Sequence, residues 1–281
     1  MTAPGPKLMR LTPILCLSLL APAAGGSGQT PSPGAPPASA QTATSALPDD
    51  PAALLQLAAQ VNGLHGSDLK PWHIRATWET LDDQGKPKDQ GTLEEWWAGD
   101  KKYKVTYKSD KVDRTSYQTD HGLYLAERTS ANSWQFATAE RLIRQPVVAV
   151  DFAAPLKTSR RSVDVHQGGV PMHCAVQGAL NADGTPIRVL NHRDGTAHPM
   201  EFGYCFAGDL PAIRSEWGSD GGLTVFNSVI LFQGQYLARK IRCSGAGGEE
   251  TDISLELAEV TDPITDADFV PPPDATRGPS K

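Results

Sequence analysis

GTLEEWWAGDKKYKVTYKSD, residues 91–110, decides how this chain folds. Trp96, Trp97, Tyr103 and Tyr107 stand here among four lysines, with Lys111 just beyond. From Lys102 to Lys108 the residues alternate. Tyr103, Val105 and Tyr107 take one side; Lys102, Lys104, Thr106 and Lys108 take the other. A two-residue period of this kind marks a half-buried β-strand. The preceding TLEEWW is a second strand. Neighbouring strand residues point to opposite faces, so at most one of Trp96 and Trp97 joins the buried side. The lysines are the outward alternates that keep the other face soluble.

The same period extends outward. In WHIRATWETL, Trp72, Ile74, Ala76 and Trp78 share one face, and His73, Arg75, Thr77 and Glu79 the other. DDQGKPKDQG is turn chemistry. RTSYQTDHGLYLAE reads as two strands joined at Asp120-His121-Gly122. Further strands are expected in RSVDVHQ, MHCAVQGAL, MEFGYCFA, AIRSEWG, LTVFNSVILFQ, QYLARKIRCS and DISLELAEV. Helical signals are few. Asp49 or Asp50 caps a helix that starts at Pro51 and stops at Asn62-Gly63. TAERLIRQP supports a second helix, capped near Thr138 and ended by Pro146. DPITDADF allows one terminal turn. About ten antiparallel strands with two or three short helices predict a mainly β (α+β) fold, a strongly curved sheet forming a half-open barrel.

The ends set the compartment. Residues 1–23 read as a cleaved signal peptide: Lys7 and Arg10, the apolar run Leu11 to Leu20, then Ala21-Pro22-Ala23. The run is too short to span a bilayer. Lipidation at Cys16 is the less favoured alternative, because Leu15 is bulky where a small residue is wanted. Residues 24–48 carry no hydrophobic period and read as a disordered spacer. The folded domain is placed at 49–273, with a disordered tail at 274–281. Without Lys7 and Arg10 the chain has 24 basic against 32 acidic residues, a net charge of -8. That balance argues against a nucleic-acid partner. Beyond Cys16 the chain keeps Cys174, Cys205 and Cys243. In the oxidising compartment that an exported protein meets, one disulfide is expected, with Cys174–Cys205 favoured among three possible pairings and Cys243 facing inward as a small apolar residue.

The run from ATWETLDDQGKPKDQGTLEEWWAGDKKYKVTYKSD to YQTDHGLYL resembles the LolA/LolB-like superfamily of exported lipoprotein-localisation factors. The resemblance rests on Gly91, Trp96 or Trp97, Lys102-Tyr103-Lys104, and Gly122 with Tyr124. It extends loosely through GYCFAGDLPAIRSEW to ITDADFVPPPDA and covers most of residues 70–272. It implies a half-open barrel with an apolar cavity for acyl chains. Such carriers hold an arginine inside the cavity, and no position here matches it: Arg75, Arg114 and Arg214 lie on strands, and Arg75 falls on the polar parity. The spacer, the cysteines and the length depart from a minimal carrier.

Motifs for chemistry are missing. The folded part has no Gly-x-Ser-x-Gly, no His-Glu-x-x-His and no Cys-x-x-Cys. The histidines at 65, 73, 121, 166, 173, 192 and 198 have no regular ligand spacing. Glu94 and Glu95 point to opposite faces and cannot act together across one glycosidic bond. No enzyme, cofactor or metal is implied. The expectation is a monomeric periplasmic carrier, without a transmembrane helix in the mature chain, that holds a lipid or lipoprotein acyl chain. Its cavity lining is assigned to Trp72, Ile74, Trp78, Trp96, Tyr103, Val105, Tyr107 and Phe226. The alternative is a protein-interaction or envelope-stress sensing module of the same fold, with a filled core and a partner surface such as a sheet edge. A carbohydrate enzyme, the third reading, would need two acids converging in a cleft.

Overall fold

A computed structural model describes residues 47–66, 68–130, 134–148, 156–167, 170–190, 195–218, 221–245 and 250–278. The expected signal peptide, Cys16, nearly all of the spacer and the last residues of the tail lie outside the described residues. All described residues belong to the unit Ala43–Lys281.

Strands follow one another as the alternation predicts: β1 Trp72–Leu81, β2 Pro87–Trp97, β3 Tyr103–Ser109, β4 Val112–Thr119 and β5 Gly122–Ser130. Then come β6 Leu156–Gln167, β7 Val170–Ala179, the short β8 Arg188–Leu190 and β9 Ala197–Pro199, and β10 Glu201–Ala207. The last are β11 Ile213–Gly218, β12 Leu223–Phe232, β13 Gln235–Ser244, β14 Glu250–Glu259 and β15 Thr276–Arg277. Thirteen of them form one antiparallel sheet in the order β15-β5-β4-β3-β2-β1-β14-β13-β12-β11-β10-β7-β6; β8 and β9 pair separately. The expected architecture is present, with more strands than the sequence pattern resolved. The sheet is open: β15 and β6 end it without meeting.

Two helices cover one face, α1 Pro51–Val61 and α2 Trp134–Arg144. Asp50 caps α1 by accepting from the Ala53 amide at 2.7 Å, which satisfies one of the orphan donors of the first turn. Asn62 ends α1 and is fully buried. Its Nδ2 donates to the Ala58 and Pro211 carbonyls, both at 2.7 Å, and its Oδ1 accepts from the Ile213 amide at 2.9 Å. One side chain thus ties the helix to β11. Helix α2 begins earlier than the TAERLIRQP pattern indicated. Its end meets the end of α1, where the Leu64 amide donates to the Ile143 carbonyl at 3.1 Å.

The core lies between these helices and the inner face of the sheet. Leu54, Leu55 and Ala58 of α1, and Leu142 and Ile143 of α2, pack with Trp72, Ile74, Trp78, Leu93, Val105, Phe226 and Ile253. Trp78 lies flat across Gly91 of the next strand, directly opposite it in the register. A Cβ at Gly91 would fall 2.4 Å from the Trp78 ring, so only glycine allows the indole this seat. Trp217 covers Gly203 in the same way, on the outer face. There a second small cluster of Met172, Cys174, Val176 and Cys205 is packed against Trp217. Cys174 and Cys205 face each other across β7 and β10 and are disulfide-bonded, with Cα atoms 4.0 Å apart.

Candidate functional site

The inner face carries charge as well as apolar bulk. Alternation on β2 sends Leu93, Glu95 and Trp97 inward. Glu95 is therefore 1% exposed. A buried carboxylate requires a partner, and α2 supplies it: the Arg144 guanidinium donates to Glu95 through both Nη2 and Nε. The same guanidinium lies 4.4 Å from the centre of the Tyr103 ring and 3.7 Å from Glu140 Oε1. The Tyr107 hydroxyl donates to Glu140. Helix and sheet are thus joined by a network of one arginine, two carboxylates and two tyrosines.

Burial pushes the Glu95 carboxyl up to about 7, although Arg144 pulls the other way. Burial likewise raises both tyrosines. Arg144 is desolvated, but Glu95 and Glu140 hold it firmly charged. The network's arginine is thus permanent, and Glu95 is the member whose charge changes near neutrality.

A second anchor lies one turn earlier on α2. Arg141 donates to Glu216 of β11 through Nη1 at 3.2 Å and Nη2 at 2.5 Å. Glu216 belongs to an inward row that crosses four strands: Tyr204, Glu216, Thr224 and Cys243. The Thr224 hydroxyl donates to Glu216 at 3.2 Å and lies 3.8 Å from the Cys243 sulfur. Cys243 is the buried free thiol expected from its parity, and burial raises it to about 11. Beside this row, between α2 and strands β10 to β12, lies a pocket of about 450 Å³. Phe202, Tyr204 and Val148 supply its apolar inner side, Trp217 and Leu223 of the opposite strand parity border it, and Arg141 and Glu216 supply its charged corner. Its size lies in the range of roughly 300–1,000 Å³ common for small-ligand sites.

Of the expected lining residues, Trp72, Ile74, Trp78, Val105, Tyr107 and Phe226 are sealed in the packed core under the helices. Tyr103 is half-buried beneath Arg144. Trp96 requires a correction. It pairs with His73 on the outer face, while Trp97 pairs with Trp72 on the inner one. Trp97 stacks on Trp72 with ring centres 5.7 Å apart, and is the inward member of the pair. Trp96 stacks on His73 at 3.9 Å, and His73 Nε2 is 2.7 Å from Glu94. The strand parity of Leu93 and Trp97 was the signal that could have placed Glu95 inside. Its arginine partner lies 49 positions away on a helix and leaves no local trace.

Among the described residues, no group of three or more His, Cys, Asp or Glu is placed to hold a metal ion. Among the described residues, no helix is long and apolar enough to cross a membrane.

No protein-family model and no curated protein matches the sequence. Solved structures do. One is a LolA superfamily protein from Nitrosomonas europaea, with 8% identity over 78% of this chain and 96% of that one and a TM-score of 0.45. A DUF1329 family protein from Desulfovibrio piger shows 11% identity over 78% of this chain and 95% of that one, with a TM-score of 0.46. The third is a putative outer membrane lipoprotein-sorting protein domain from Vibrio parahaemolyticus, with 9% identity over 78% and 95% of the two chains and a TM-score of 0.44. These are among the solved structures to which this chain is similar.

Proposed function

We propose that this chain is an exported, non-enzymatic binding or carrier protein that holds an acyl chain of a lipid or lipoprotein. The observation that carries this reading is the pocket under α2. It is bounded by Phe202, Tyr204, Trp217, Leu223 and Val148, with one ion pair, Arg141–Glu216, at its edge. An apolar tail fits the wall, and the ion pair suits a polar end or a glycerol ester. In this reading residues 1–23 direct export, 24–48 form a spacer, 49–273 form the carrier domain and 274–281 a tail. The protein acts as a periplasmic monomer. Trp72, Trp78 and Phe226 are packed in the core and do not line this pocket.

The sealed core between α1, α2 and strands β1 to β3 favours a second reading, an interaction module whose partner is an envelope protein. One experiment separates the two. The protein is purified from a periplasm, examined by native mass spectrometry and extracted for lipid, beside the variant Phe202→Asp. A co-purifying acyl species that is lost from the variant supports the carrier. A protein free of lipid that also fails to bind fluorescent fatty-acyl probes removes the carrier reading and leaves the interaction module.

A further inference from the structure

An ordinary strand alternates its side chains, and the β12–β13 hairpin breaks that rule once on each strand. The register runs from Asn227 opposite Lys240 to Val229 opposite Ala238, stepping over Ser228 and Arg239. Phe226 and Ile241 are buried on one side of the step, and Leu237 and Ala238 are both buried on the other. Between them Asn227 and Ser228 are both exposed, as are Arg239 and Lys240. Ser228 adopts φ +51° to allow this. A left-handed serine costs conformational energy and needs a reason.

Here the result is two adjacent cations on the outer face, where strict alternation would give one. They share a pocket of about 430 Å³ with Arg75 and with the side chains of Thr77, Ser228, Ser254 and Glu256. Three cations against one carboxylate stand out on a chain whose net charge is -6. Arg75 lies directly opposite Glu256 and is 3.5 Å from Glu94, so its charge is largely answered. Arg239 gives its Nε to the Leu255 carbonyl at 3.4 Å. Among the described residues, neither Arg239 nor Lys240 has a carboxylate within ion-pair distance.

The geometry points to a binding site for a phosphate group in this pocket. A guanidinium donates in a planar fork and an ammonium acts as a compact charge, the usual pair for phosphate oxygens. Three hydroxyls can serve the remaining oxygens, more donors than a carboxylate could use. The pocket is larger than a phosphate, so an attached organic group has room. The phosphate is either that of a small soluble phosphoester or that of a lipid headgroup. The site is on the face opposite the α2 pocket and stands independently of the carrier reading.

The test uses the full chain with inorganic phosphate, followed by amide chemical shifts, and vesicles of phosphatidylcholine with and without phosphatidic acid, followed by co-sedimentation. Saturable binding in either arm is expected. Phosphate alone identifies the soluble source, and acid-bearing vesicles without free phosphate identify the headgroup. Arg239→Ala with Lys240→Ala should weaken binding by at least about tenfold. Glu256→Gln should tighten it several-fold, because it removes the one negative wall; this variant serves if the double one fails to fold. The inference is overturned by no binding in either arm, by binding that the double variant leaves unchanged, or by weaker binding in Glu256→Gln.

Discussion

Replacing Glu95 with glutamine keeps the shape of the side chain and removes its titration. In the folded chain the carboxyl is raised from 4.5 to about 7 by burial, more than Arg144 lowers it. A carboxyl that holds its proton more tightly when folded adds stability below its unfolded value, and loses that stability as pH rises through the folded one. The affected window is therefore about pH 4.5 to 7. At roughly 1.4 kcal/mol per pH unit, the wild-type chain should lose on the order of 3 kcal/mol across it from this group alone. Glu95→Gln lacks this contribution, while every other titrating group is common to both proteins. Urea unfolding of the two proteins at pH 5, 6, 7 and 8 gives the difference directly. Wild type minus variant should fall by on the order of 2–3 kcal/mol between pH 5 and 8. Exchange protection of α2 amides should fall in parallel, since Arg144 ties that helix to Glu95. Two parallel stability profiles would refute the reasoning. A difference that rises with pH would refute it more sharply, by showing that Arg144 outweighs burial and that Glu95 titrates below the ordinary carboxylate range.

Three further expectations concern stability. A methyl group at Gly91 would meet the Trp78 ring and the Lys108 carbonyl, so Gly91→Ala should cost about 1–3 kcal/mol in chemical denaturation; a cost below about 0.5 kcal/mol would show that the indole is not seated as described. The Thr80 hydroxyl is buried with no hydrogen-bond partner among the described residues, so Thr80→Val should be neutral or stabilising by roughly 1 kcal/mol, and a loss above about 1 kcal/mol would reveal a hydrogen bond. Reducing Cys174–Cys205, which spans 31 positions, should lower stability by about 3–4 kcal/mol if the chain-entropy account holds; an unchanged melting temperature in reductant would contradict it.

The sheet was legible because period-2 alternation is a local signal. Tyr103, Val105 and Tyr107 declare their face without help from any distant residue. The helix starting at Pro51 was equally readable, since Asp50 and Asn62 bracket it within a few positions. What escaped was whatever depended on two distant segments meeting. Trp96 and Trp97 are chemically equal in the sequence, and the pairing with β1 shows that Trp97, on the parity of Leu93, turns inward. The partner of Glu95 left no mark beside it, because Arg144 lies 49 positions away. The pocket beneath α2 was not legible at all. It is a gap left between a helix and three strands, and side-chain types do not encode gaps. The cysteine pair was favoured among three options, and the register of β7 and β10 explains why it forms.

That register has a consequence for the excursion between the two cysteines. The chain leaves β7 at Ala179, makes the small β8–β9 ribbon and returns to β10 through Met200. The strands of the ribbon are largely exposed, and Asn181 to Gly184 forms an exposed turn in the link from β7 to β8. A two-stranded ribbon alone would be marginal in water, but this one springs from strands that are covalently stitched. Lengthening a loop whose ends are fixed costs little, about 0.6 kcal/mol for each doubling. The turn at Asp183-Gly184 is therefore a natural grafting point. A foreign epitope or a small reporter domain inserted there should be carried by the folded protein with the sheet, the α2 pocket and the Glu95 network all undisturbed.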